Sequence, residues 1–82
     1  MIMTTVDIEY CVPCSMRGRA QGLQAELLEE FGQRLDAVSL VTGDGGVFRV
    51  EVDGEEVFDK AAEEYDTDVI VDRVGDHVGA TD

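Results

Sequence analysis

The sequence predicts an α/β protein of the α+β sandwich type: a four-stranded mixed sheet with helices packed on it, in the order strand, helix, strand, strand, strand, helix. Three observations carry this expectation. An alternating apolar segment runs directly into Cys11-Val12-Pro13-Cys14. A helix with a single apolar stripe follows it. Further on, Asp53-Gly54 separates two short strand-like segments, the pattern of a tight hairpin.

Residues 4–10 form the first predicted strand. Val6, Ile8 and Tyr10 fall on one face, with Asp7 and Glu9 on the other, the period of two that a pleated strand requires. The Cys-x-x-Cys ends it. Residues 15–31 predict a helix, because Met16, Ala20, Leu23, Leu27 and Phe31 recur at steps of four, three, four and four. Glu26, Glu29 and Glu30 lie off that stripe. Gly32 stands just past the end, where a left-handed cap residue is wanted. Gly18 and Gly22 inside the helix cost roughly 1 kcal/mol each relative to alanine, and close packing against a strand is the expected reason for them.

Residues 35–41 are a short apolar segment, read as the second strand, and residues 42–46 as an open turn. Residues 47–52 alternate again, with Phe48, Val50 and Val52 opposite Arg49 and Glu51. After the Asp53-Gly54 turn, residues 55–60 return antiparallel and bring Val57 and Phe58. In the last element, Asp66, Thr67 and Asp68 suit the start of a helix, and Ile70, Val74 and Val78 follow at spacings of four. The run Val69-Ile70-Val71 is β-branched and suits a strand equally well; the helix is the reading adopted. The final residues, 80–82, are expected to fray. A strand–helix–strand opening implies a parallel pair with a right-handed crossover, and the hairpin adds two antiparallel strands.

With 82 residues the chain is one domain, residues 1–82. A chain this short buries only roughly 60–65% of its unfolded surface, so any chemistry is expected near the surface. The formal net charge is −13, from 19 acidic against six basic residues, and Lys60 is the only lysine. Such a field repels polyphosphates, which excludes nucleic acid and anionic membrane surfaces as partners. The same excess of carboxylates is the composition expected of a salt-adapted cytosol, where molar salt screens like charges within ~3 Å. The acids are interleaved with apolar residues, 44% of the chain, which favours a folded domain over a disordered tail. No segment approaches the ~20 apolar residues of a membrane span. The start, Met1-Ile2-Met3-Thr4, lacks the pattern of a signal peptide. A cytoplasmic protein is therefore expected, and a cysteine pair in a reducing compartment is more often catalytic or metal-binding than a permanent staple.

Cys11 and Cys14 are the only cysteines and carry the expected chemistry. The thiolate is the reactive form, and a free thiol with a pKa near ~8.5 is mostly protonated at neutral pH. A helix N-terminus favours the anion, and the pair lies where strand hands over to helix. Pro13 suits a first helical turn, since it lacks the N–H that would go unpaired there. One helical turn would bring the two sulfurs within disulfide range, so that one attacks a substrate disulfide and the other resolves the intermediate. Arg17 and Arg19 follow, either as stabilisers of the thiolate or as solvated surface charges. His77 is read as surface or satisfied packing. A closed zinc site needs four ligands, which one chain does not supply; a dimer sharing four thiolates is the metal alternative.

The stretch from Val6 to Cys14, the helix after it, and Gly45-Gly46-Val47-Phe48-Arg49-Val50-Glu51-Val52-Asp53-Gly54-Glu55 resemble the selenoprotein W-like (Rdx) family. The resemblance covers about residues 4–78 and rests on Tyr-Cys-x-x-Cys and Gly-Gly-x-Phe. It implies a thioredoxin-like fold of β-α-β-β-β-α order. Selenium-containing members carry selenium at the position of Cys14, whereas in thioredoxins proper the first cysteine attacks, so either Cys11 or Cys14 fits as the nucleophile. Pro13 is the only proline, so the second proline that faces the pair in thioredoxins is missing. Where members often have Gly-Phe after the hairpin, this chain has Glu64-Tyr65-Asp66.

The expected function is thiol–disulfide exchange, an oxidoreductase or redox carrier cycling Cys11 and Cys14 with protein or low-molecular-weight thiols, with no cofactor, no resident metal and a monomeric state. Pro13, Arg17 and Phe48 are the expected supporting residues. Phe48 with Gly43, Gly45 and Gly46 forms either a rim beside the pair or, in the case of Phe48, plain core. A redox-switched interaction module and the zinc-bridged dimer are the alternatives.

Overall fold

The computed structural model describes residues 4–80. The expectations for the Met1-Ile2-Met3 start and for fraying at residues 81 and 82 lie outside the described residues. The elements run β1 (Thr5–Cys11), α1 (Arg17–Phe31), a 3-10 turn (Gly32–Arg34), β2 (Ala37–Gly43), β3 (Phe48–Val52), β4 (Glu55–Asp59) and α2 (Thr67–Ala80). The four strands make one mixed sheet in the order β2-β1-β3-β4. β1 and β2 are parallel, joined through α1, whereas β1–β3 and β3–β4 are antiparallel. β1 is thus a central strand, and its C-terminal end delivers the cysteine pair.

The predicted period of two sets the register. Val6, Ile8 and Tyr10 stand opposite Val52, Val50 and Phe48, and all six are buried. They pack with Ala20, Leu23 and Leu27 of α1 and with Ile70, Val74 and Val78 of α2 in one core. Asp7, Glu9, Arg49 and Glu51 alternate with them on the other face. There Arg49 donates to Glu9 through both Nε and Nη2.

Local chemistry fixes the boundaries. At the hairpin, Asp53 and Gly54 both have positive φ, 53° and 85°, the backbone that a two-residue turn between twisted strands demands. Asp53 also accepts from the Thr5 amide at 2.9 Å and returns its own N–H to the Thr5 carbonyl, which pins the turn to the start of β1. Asp66 caps α2: its Oδ1 accepts from the amides of Asp68 and Val69 at 3.0 and 3.3 Å. That capped start resolves Val69-Ile70-Val71 as helix. α2 continues through Ala80.

Three expectations need correction. β2 begins at Ala37, two residues later than predicted, because the chain first closes the 3-10 turn. The Asp36 amide then meets the Thr4 carbonyl at 2.7 Å. β2 also runs on through Thr42 and Gly43, so the turn is shorter and rests on Gly45 and Gly46 with φ of 70° and 81°. Second, α1 begins at Arg17 rather than at residue 15, since Ser15 is left-handed with φ 61°. Third, Gly18 and Gly22 are not close-packed: a Cβ on either meets nothing within 4 Å. The close approach is on α2, where a Cβ on Gly75 would stand 3.3 Å from Phe31 Cζ.

Candidate functional site

β1 carries its ladder to the last residue before the turn. Cys11 pairs with Gly43 of β2, and the Val12 amide donates to the Gly43 carbonyl at 3.1 Å. The chain then folds back over residues 12–15, and the Ser15 amide donates to the Val12 carbonyl at 3.3 Å. Cys11 and Cys14 are joined by a disulfide, with Cα atoms 5.3 Å apart. This turn, not a turn of helix, brings the sulfurs together.

The two cysteines have unequal surroundings. Cys11 is fully buried, held by its place at the end of a central strand. Cys14 is exposed, as are Val12, Pro13 and Ser15 around it. Val12 is half exposed at 50% and gives the turn an apolar shoulder.

Pro13 lies inside this turn and not in the first turn of α1, which starts four residues later. Its fixed φ restricts the turn itself. The helix start lies just past Cys14. It has no side-chain cap and no acidic residue in its first turn, so the positive end of α1 is not neutralised from within the helix. Arg17 is the first helical residue and is exposed. With Tyr10, Val12, Ser15, Gly18 and Thr42 it lines a groove of about 570 Å³ beside the turn. Arg19 turns elsewhere: its guanidinium lies 4.5 Å from the Tyr65 ring centroid.

Phe48 is not a rim residue. It is fully buried and makes edge-on contacts with Tyr65 at 5.2 Å and Phe58 at 6.4 Å between centroids. Its place opposite Tyr10 on the inner face of the sheet puts it in the core. Gly43 is the glycine beside the pair; Gly45 and Gly46 sit in the next turn, with Val47, Arg49 and Lys60 around them. His77 Nε2 lies 3.5 Å from a Glu55 carboxylate oxygen, a surface contact. Ser15 and Thr42 also line the groove beside the disulfide turn; the sequence places Thr42 in a turn, and no local signal marks Ser15 as left-handed.

A family model described as the Rdx family matches residues 5–76, from β1 into α2. The chain belongs to the Rdx family. Solved structures agree with the assignment. A protein from Bordetella parapertussis is 37% identical, with a TM-score of 0.85 over 90% of this chain and 96% of that one. A selenoprotein W-related protein from Vibrio cholerae is 25% identical, with a TM-score of 0.87 over 94% and 99% of the two chains. No curated protein matches significantly. Family membership and the Cys11–Cys14 disulfide together point to a redox role for this Rdx protein. Among the described residues no helix is long and apolar enough to cross a membrane.

Proposed function

We propose that this Rdx protein exchanges thiols and disulfides through Cys11 and Cys14, passing two electrons between protein or low-molecular-weight thiols. The observation that carries this reading is the asymmetry of the pair: Cys14 exposed, Cys11 buried. In the oxidised protein, a substrate thiolate attacks Cys14 Sγ. The bond to Cys11 breaks, and Cys11 leaves as a thiolate that takes up a proton. A second substrate thiolate then attacks the substrate sulfur of the mixed disulfide, releasing Cys14 and an oxidised substrate. Run backwards, Cys14 attacks a disulfide substrate and Cys11 resolves the intermediate.

Two features support the Cys14 thiolate: the uncapped positive end of α1 and the exposed Arg17. The contact with Tyr65 takes Arg19 away from that task. A reducing cytoplasm would keep the pair ready as a dithiol, and we take that as its compartment. The acidic surface, including the exposed Glu55 and Glu56 of the β4 edge, disfavours edge-to-edge association and suits a monomer.

The test uses Cys11→Ser and Cys14→Ser separately, each treated with glutathione disulfide and followed by intact mass. Cys11→Ser, with Cys14 left free at the surface, should gain one glutathione rapidly. Cys14→Ser, with only the buried Cys11, should gain it far more slowly. Equal rates in the two variants, or faster labelling of Cys11, would overturn the assignment of Cys14 as the attacking sulfur.

A further inference from the structure

We infer that Ser15 sets the reduction potential of the pair by holding the backbone strained only while the disulfide is closed. The inference rests on the proposed thiol–disulfide cycle. Three observations meet at this residue.

Ser15 follows Cys14 directly and has φ 61°, in the left-handed region that L-residues other than Asn and Asp seldom occupy. Among the described residues the only other non-glycine with positive φ is Asp53, where a two-residue hairpin demands it. Nothing comparable demands it at Ser15, whose single backbone bond in the turn, to the Val12 carbonyl, is a long 3.3 Å.

The second observation is the bare start of α1. Its cap position is Met16, with φ −94° and ψ 2° and no side-chain cap. Methionine cannot cap a helix, whereas serine is among the preferred capping residues. Serine stands one residue away, and no side chain caps the helix.

The third is the covalent tie. Cys14 is bound to Cys11, and Cys11 is fixed in the β1–β2 ladder. With Cys14 so anchored, the chain has one residue before Met16 in which to turn toward the helix. Ser15 absorbs that turn.

Reduction adds two electrons and two protons: the S–S bond breaks and two thiols form, with two glutathione molecules oxidised to one glutathione disulfide. Cys14 is then released from Cys11. Ser15 returns to an ordinary backbone conformation and becomes the cap of α1, its hydroxyl accepting from the amide of Arg17 or Gly18. The helix gains a residue at Met16, and its positive end moves toward Cys14. The reduced form thereby gains what the oxidised form lacks, and the protein becomes a stronger oxidant than an unstrained turn would make it. Ser15 is a positioning residue, since it acts through Cys14 and need not touch substrate.

The test is a glutathione redox titration of the wild type and Ser15→Gly. Glycine occupies the left-handed region without penalty and lacks the capping hydroxyl, a small loss at a cap position, so the variant relieves the oxidised form and slightly weakens the reduced one, both in favour of the disulfide. The penalty for an L-residue there corresponds to about a five- to thirtyfold change in an equilibrium constant. We expect Ser15→Gly to favour the disulfide about tenfold, a potential more negative by about 30 mV. NMR of the reduced wild type should show Ser15 with right-handed or extended backbone shifts, and slowed exchange of the Arg17 and Gly18 amides. A Ser15→Gly potential equal to that of the wild type, or a left-handed Ser15 in the reduced protein, would overturn the inference while leaving the redox function standing. A wild type with no reversible transition would bring down both.

Discussion

Replacing Phe48 by alanine separates a core role from a functional one. Phe48 has no exposed surface. It faces Tyr10 across the β1–β3 ladder and meets the Tyr65 and Phe58 rings edge-on. Truncating a buried phenylalanine to alanine costs about 3–5 kcal/mol, the transfer loss plus the cavity left behind. The upper part of that range is expected here, because the two edge contacts of Phe48, with Phe58 and Tyr65, are lost, each such pair being worth about 0.5–1.5 kcal/mol. A domain of 82 residues has a total stability of about 4–12 kcal/mol, so the variant should lie near the limit of folding. Urea titration of the oxidised protein with the slope compared to wild type reads the loss directly. Where the variant still folds, its reduction potential should equal that of the wild type, since the ring's edge contacts are with Phe58 and Tyr65 in the core. A loss below about 1 kcal/mol accompanied by a shifted potential would refute the reasoning and return Phe48 to the rim of the site.

Other expectations follow from the same geometry. Gly22→Ala should raise stability by about 0.5–1 kcal/mol in urea titration, because the helix gains propensity and the added Cβ meets open space. Arg73 donates to both oxygens of Glu63 at 2.6 and 2.9 Å. The hydrogen bond from Arg73 holds the Glu63 carboxyl below its ordinary value of 4.5. Glu63 therefore contributes stability that is full above the unfolded value and is lost as pH falls through the folded one. Arg73→Gln should move the Glu63 carboxyl back up in a carbon-detected NMR titration; an unmoved value would refute the pairing. Finally, raising KCl from 0.1 to 1 M should raise the melting temperature, since the −13 charge opposes compaction and is screened within a shorter distance; a flat or falling response would refute the salt-adapted reading.

Much of the fold was legible because local and global preferences agree. Val6, Ile8 and Tyr10 alternate, and so do Phe48, Val50 and Val52; each triplet turned out to face the other across one ladder. Asp53-Gly54 marked its turn through backbone preference alone. Ile70, Val74 and Val78 kept helical spacing despite β-branching, and Asp66 supplied the cap that settles the element as helix. The site was legible in its cysteines but not in its backbone. Pro13-Cys14-Ser15 reads locally as a helix start. A bond to Cys11 and a ladder contact to Gly43, both outside that segment, hold it as a turn instead. The exposure of Cys14 against the burial of Cys11 depends on where β1 ends in the sheet, which no spacing encodes. Nothing in the structure explains why Gly18 and Gly22 are glycines.

The central claim is that Cys11 and Cys14 form a reversible two-electron couple. The direct measurement is a titration of the wild type in glutathione and dithiothreitol buffers at molar KCl, with free thiols trapped and counted by intact mass. The account predicts a single transition from no free thiols to two, with a midpoint between roughly −300 and −120 mV. A pair that stays reduced throughout, or that becomes reactive only after zinc is removed, would contradict it.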